Sequence, residues 1–100
     1  MQLVSVHESR RFLQMEDGSP FFWLGDTTWE LFHRLSRTEI ADFLSIRHQQ
    51  GYNVVQAVAL AELDGVRVPN REGHFPLIDE DPIKPDLRAG GYWDLVDFAF

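Results

Sequence analysis

Two short stretches of this chain carry side chains able to do chemistry. Asp26, Trp29, Glu30 and His33 lie close together, and Glu62 and Asp64 follow later. Carboxylates bind sugar hydroxyls or act as general acid and base. Cleavage of a glycosidic bond needs two carboxyls about 5 to 10 Å apart. An indole adds a flat apolar face on which a sugar ring stacks. Each residue also has a plainer use. Asp26 is equally suited to cap a following helix by accepting from the N–H of Thr28 or Trp29. Trp29 is equally suited to core packing, whereas Trp23 and Trp93 are expected in the core. Asp64, directly before Gly65, suits a turn.

Other chemistries find little support. His7, His33, His48 and His74 show no metal-ligand spacing. His33 and His74 are open to a pocket position or to ordinary packing, and His48 reads as a solvated helix residue. Asp79-Glu80-Asp81 resembles half a calcium loop but lacks the alternation and the glycine, so a solvated acidic turn is expected. No phosphate-cradling glycine motif and no nucleophile elbow occurs. The chain has no cysteine, which excludes disulfides and thiolate chemistry. A net charge of −7, with nine scattered basic residues, argues against nucleic acid and suits a neutral substrate handled by carboxylates. No cofactor is expected. No apolar run approaches the roughly 18 to 20 residues that span a bilayer. The first residues lack the basic and apolar regions of a signal peptide, so a cytoplasmic location is the default expectation.

Those residues need elements to hold them. Hydrophobic residues make up 44% of the 100 and charged ones 25%, a globular balance. Asp17-Gly18 between β-prone runs predicts a hairpin whose two turn positions both take positive φ. The unbroken apolar run Phe21 to Leu24 predicts a strand buried on both faces, ending at Gly25-Asp26. Trp29 to Leu35 predicts a short helix. Ser36 with Glu39 forms a capping box for a helix from about Arg37 to Gln50, and Gly51 suits its left-handed end. Tyr52 to Leu60 predicts a second strand parallel to the first. The Pro-rich stretch Ala61 to Gly91 predicts a functional loop. From Tyr92 a helix begins, with Tyr92, Leu95, Val96 and Ala99 on one stripe. Ligands of parallel α/β folds bind outside the carboxyl ends of the strands, where Asp26 and Glu62 would share a pocket.

Together the blocks Pro20–Thr27 (PFFWLGDT), Trp29–Leu35 (WELFHRL) and Gly51–Gly65 (GYNVVQAVALAELDG) resemble the apiosidase-like glycoside hydrolase family. Pro69-Asn70, Gly73-His74, Pro76-Leu77 and Asp81-Pro82 continue the match, which runs from about Leu3 to the end. The resemblance implies a retaining glycosidase barrel acting on plant cell-wall polysaccharide, with apiose-containing pectic side chains as the family's known substrate. It implies that acid/base and nucleophile follow later strands, beyond Phe100, which displaces Asp26 and Glu62 as the catalytic pair. The expected substrate-binding set is then Asp26, Trp29, His33, Glu62, Asp64, Asn70 and His74.

The expected fold class is α/β: the N-terminal portion of a TIM (β/α)8 barrel, truncated. Residues 1–20 form a lead-in hairpin, 21–60 a strand–helix–strand unit, 61–91 a substrate loop and 92–100 the start of the second barrel helix. Such barrels take about 250 residues, so the fragment is expected to be inactive alone. Two alternatives are a non-catalytic carbohydrate-binding module and an interaction domain without a small-molecule site.

Overall fold

A computed structural model describes residues 3–100. The described chain begins with an antiparallel meander of three two-residue strands, β1 (Ser5–Val6), β2 (Leu13–Gln14) and β3 (Pro20–Phe21). The β2–β3 turn differs from the expected one. Met15 N–H donates to Ser19 O, closing a loop over Glu16, Asp17 and Gly18. Only Gly18 has positive φ, at 83°. A three-residue loop that ends in one left-handed residue needs just that glycine. Asp17 instead accepts from the backbone N–H and hydroxyl of Ser19, which hold its carboxyl below the usual carboxylate range.

The parallel pair is β4 (Gly25–Thr28) and β5 (Val54–Ala57), in register Gly25↔Val54 to Thr28↔Ala57. The first parallel strand thus lies four residues later than the apolar run predicts. Phe21 belongs to the meander, while Phe22 and Trp23 are exposed. Asn53 explains the shift. Its Nδ2 donates to Phe22 O, its Oδ1 accepts from Leu24 N–H, and its own N–H donates to Leu24 O. A side chain there replaces the ladder partner, and regular pairing starts only at Gly25. The second strand is shorter than expected, stopping at Ala57.

Helix α1 (Leu31–Arg34) is a single turn, and α2 (Arg37–Gln49) carries the expected capping box between Ser36 and Glu39. At its end Gly51 N–H donates to His48 O and Tyr52 N–H to Arg47 O. Gly51 has φ 92°, the left-handed residue of a Schellman ending. Helix α3 (Tyr92–Phe98) buries Tyr92, Leu95 and Val96 as the stripe predicts. These join Leu31, Phe32 and Ile40 in one core, against which Phe43, Leu44, Ala57 and Trp93 pack. Trp93 therefore packs against the core as expected; Trp23 does not.

The stretch 61–91 is an ordered loop tied to α3. The Tyr92 phenol donates to Ala59 O at 2.7 Å, and Trp93 Nε1 donates to Pro76 O at 2.9 Å. The architecture is mixed α/β: helices cover one face of the parallel pair, and Gln56 stands exposed on the other. Among the described residues no helix is long and apolar enough to cross a membrane.

Candidate functional site

The carboxyl ends of β4 and β5 open into a cleft. After β4 the chain turns at Trp29-Glu30 into α1. After β5 the Tyr92 bond fixes Ala59, and the turn from Glu62 brings that loop opposite Trp29. One cavity of about 150 Å³ is lined by Trp29, Glu30, Glu62 and Leu63. A second, of about 190 Å³, is lined by Glu30, His33, Arg34, Leu63, Asp64 and Val68. Glu30 and Leu63 are common to both, so the two form one groove.

Trp29 is 61% exposed and lines the first of these cavities beside Glu30. Glu30 forms an ion pair with Arg34 at 2.7 Å, one helical turn on. That bond raises the Arg34 guanidinium above its usual value. Glu62 makes no ion pair among the described residues. Leu63 is 85% exposed and holds φ 64°. A bulky residue in the left-handed region costs about 1 to 2 kcal/mol. Asp64 accepts backbone bonds from Arg67 and Val68 through its carbonyl, the turn expected of it, while its side chain lines the groove.

Four expected site residues, Trp29, Glu62, His33 and Asp64, thus meet in one place. Asp26 does not join them. It is the second residue of β4 rather than the residue beyond a strand, and its carboxylate pairs with Arg47 of α2. The capping bond from Thr28 or Trp29 is not formed either. Asn70 is buried, with 4% exposure. Its Oδ1 accepts from Glu72 N–H and His74 N–H. His74 lies by a small separate cavity with Asp86, Arg88 and Tyr92. Arg88 holds the Asp86 carboxyl below the usual range, and His74 adds a smaller pull.

Four groove residues were absent from the expected set: Glu30, Arg34, Leu63 and Val68. Glu30 was recognisable from its place after the strand. Nothing in the sequence marks the backbone twist at Leu63. The Asp79–Asp81 stretch is a turn, with Asp81 N–H bonded to Ile78 O and Lys84 paired to Asp81 at 3.0 Å. Among the described residues no group of three His, Asp or Glu is placed to hold a metal ion.

Residues 7–100 match the family described as Apiosidase-like, catalytic domain. The crystal structure of a glycoside hydrolase family 5 protein from Bacteroides vulgatus is similar over 96% of this chain, with 39% identity and a TM-score of 0.79. A second structure, described as a glycoside hydrolase, is similar over 96% of the chain with 38% identity and a TM-score of 0.79. The chain spans 20% and 21% of those two proteins. No protein of curated function matches it. Match and structural neighbours agree: this chain, similar to about a fifth of each of two glycoside hydrolase structures, belongs to the apiosidase-like catalytic-domain family.

Proposed function

We propose that the chain supplies one wall of the substrate groove of a glycoside hydrolase whose catalytic domain is a (β/α)8 barrel. The two parallel strands are neighbouring staves, and the meander precedes them. The exposed Phe22, Trp23 and Gln56 fit a sheet whose open face further strands cover. The substrate is a pectin-type plant cell-wall polysaccharide, apiose-containing side chains first among the choices. In this reading Trp29 stacks on a sugar ring, and Glu62 and Asp64 accept from its hydroxyls. His33 lines the same groove. The acid/base and nucleophile come from strands outside residues 1–100.

The observation that carries this reading is the exposed Trp29 facing Glu62 across a groove at the carboxyl ends of parallel strands. The test is calorimetric titration of the full-length protein with pectic oligosaccharides. Trp29→Ala and Glu62→Gln should each weaken binding about tenfold, the worth of one stacking or charged hydrogen-bond contact. Binding unchanged in both variants would remove the groove from substrate recognition. Residues 1–100 expressed alone should show no glycosidase activity and no cooperative unfolding. Aryl-glycoside turnover by that piece, abolished by Glu62→Gln, would contradict this.

A further inference from the structure

Two buried side-chain nitrogens among the described residues have no hydrogen-bond partner, Nδ1 of His33 and Nδ2 of Asn70. Such atoms are costly, at about 1 to 3 kcal/mol each, and native folds seldom leave them alone. Here the two belong to neighbouring segments. Arg71 N–H donates to His33 O at 2.8 Å, which lays residues 70–71 against the end of α1. Their chemistry is complementary as well. Asn70 Oδ1 is committed to two backbone donors, Glu72 N–H at 3.1 Å and His74 N–H at 2.9 Å. The amide orientation is therefore fixed, and Nδ2 can only donate. Nδ1 of a neutral imidazole can accept.

We propose that Asn70 is a positioning residue for His33. The two atoms are not bonded to each other directly, so Nδ2–H donates to a single trapped water, which in turn donates to His33 Nδ1. With Nδ1 accepting, the ring proton sits on Nε2. His33 lines the groove with Glu30, Arg34 and Asp64, so Nε2–H becomes a donor of fixed direction for a sugar hydroxyl. This rests on the groove being the carbohydrate site. It also replaces the expectation that Asn70 touches substrate, because a side chain so buried and so engaged has no free face for it.

The test needs no sugar in its first arm. In full-length protein labelled with 15N-histidine, the His33 signals are assigned by their loss in His33→Gln, and the tautomer is read from the ring nitrogen shifts. The wild type should show the Nε2–H form; an Nδ1–H form overturns the proposal. Asn70→Asp keeps an acceptor for Glu72 and His74 but puts an oxygen where the donor was. It should move the proton to Nδ1. An unchanged tautomer, with the His74 amide signal in place, overturns the proposal too. Should that variant fail to fold, the wild-type tautomer still decides. In the second arm the half-saturating oligosaccharide concentration of Asn70→Asp rises about tenfold, the loss of one hydrogen bond. A changed tautomer with unchanged affinity would overturn the sugar-facing role of Nε2. Because the first arm is read without ligand, its failure is distinct from failure of the groove, which Trp29→Ala and Glu62→Gln report.

Discussion

The guanidinium of Arg47 on α2 reaches the carboxylate of Asp26 on β4, joining the helix layer to the sheet. Arg47 also lies over two aromatic rings, Phe43 at 4.7 Å and Tyr52 at 5.7 Å. An ion pair that is partly sheltered and backed by aromatic faces is worth more than an exposed one. Its carboxylate looks towards the helices and away from the groove. Asp26→Asn should therefore lower stability by about 1 to 2 kcal/mol, between the exposed and fully buried cases. Oligosaccharide affinity should stay within about twofold. Thermal melts and titration of the same sample decide it: affinity lost at unchanged Tm would return Asp26 to the pocket.

The capping box of α2 makes stability depend on acid. Glu39 accepts from Ser36 N–H at 2.7 Å and, with the Ser36 hydroxyl, its carboxyl is held below the usual carboxylate range. A depressed folded value means that the stabilisation is complete above the unfolded value, about 4.3. It is lost as the pH falls through the folded one. Ser36→Ala should cost about 1 kcal/mol near neutrality. Urea unfolding of the full-length wild type and Glu39→Gln at pH 7 and pH 3 should show a gap at the higher pH that closes at the lower. A gap independent of pH would mean that the carboxylate plays no part.

This box was legible because every participant lies within four residues, as was the Gly51 ending. Local signals need no tertiary partner to be read. The strand at Phe21 to Leu24 was not legible in the same way. An apolar run states that something is to be covered but not by what, and the Asn53 side chain, 29 to 31 residues away, decides where pairing begins. A four-residue error in the strand then moved Asp26 from beyond the sheet into it, and from the groove to the helix face. The groove survived the error because chain order alone places Trp29, His33, Glu62 and Asp64 after their strands.

Tyr92 should give the protein an alkaline limit. Burial pushes its phenol up to about 12. The folded state keeps the proton where the unfolded chain, with a value near 10, releases it. The contribution is therefore whole below about pH 10 and declines as the pH climbs to about 12. Tyr92→Phe removes this slope and also the bond to Ala59 O, at about 1 kcal/mol near neutrality. Denaturant unfolding of the full-length protein at pH 7 and pH 11 should find the wild type ahead at pH 7 and the difference narrowed at pH 11. An undiminished difference would assign the effect to packing alone.

Gly65 should be the least replaceable glycine of the groove loop. A Cβ there would lie 2.2 Å from Ala61 O and 2.8 Å from the Ala61 carbonyl carbon, both backbone atoms that no rotamer change can clear. Ala61 is buried, and the Tyr92 phenol holds Ala59 just before it, so the Ala61 side cannot yield. The strain falls on Glu62, Leu63 and Asp64, the segment between the two clashing positions and the wall facing Trp29. Gly65→Ala should thus weaken oligosaccharide binding at least as much as Glu62→Gln, although it adds one methyl and removes no polar group. Gly51→Ala is the control. Its Cβ would meet open space, and only the φ of 92° opposes it, at about 1 kcal/mol. That variant should melt earlier yet bind as the wild type does. Equal affinity in Gly65→Ala and wild type would mean that the Glu62 segment moves freely and forms no fixed wall.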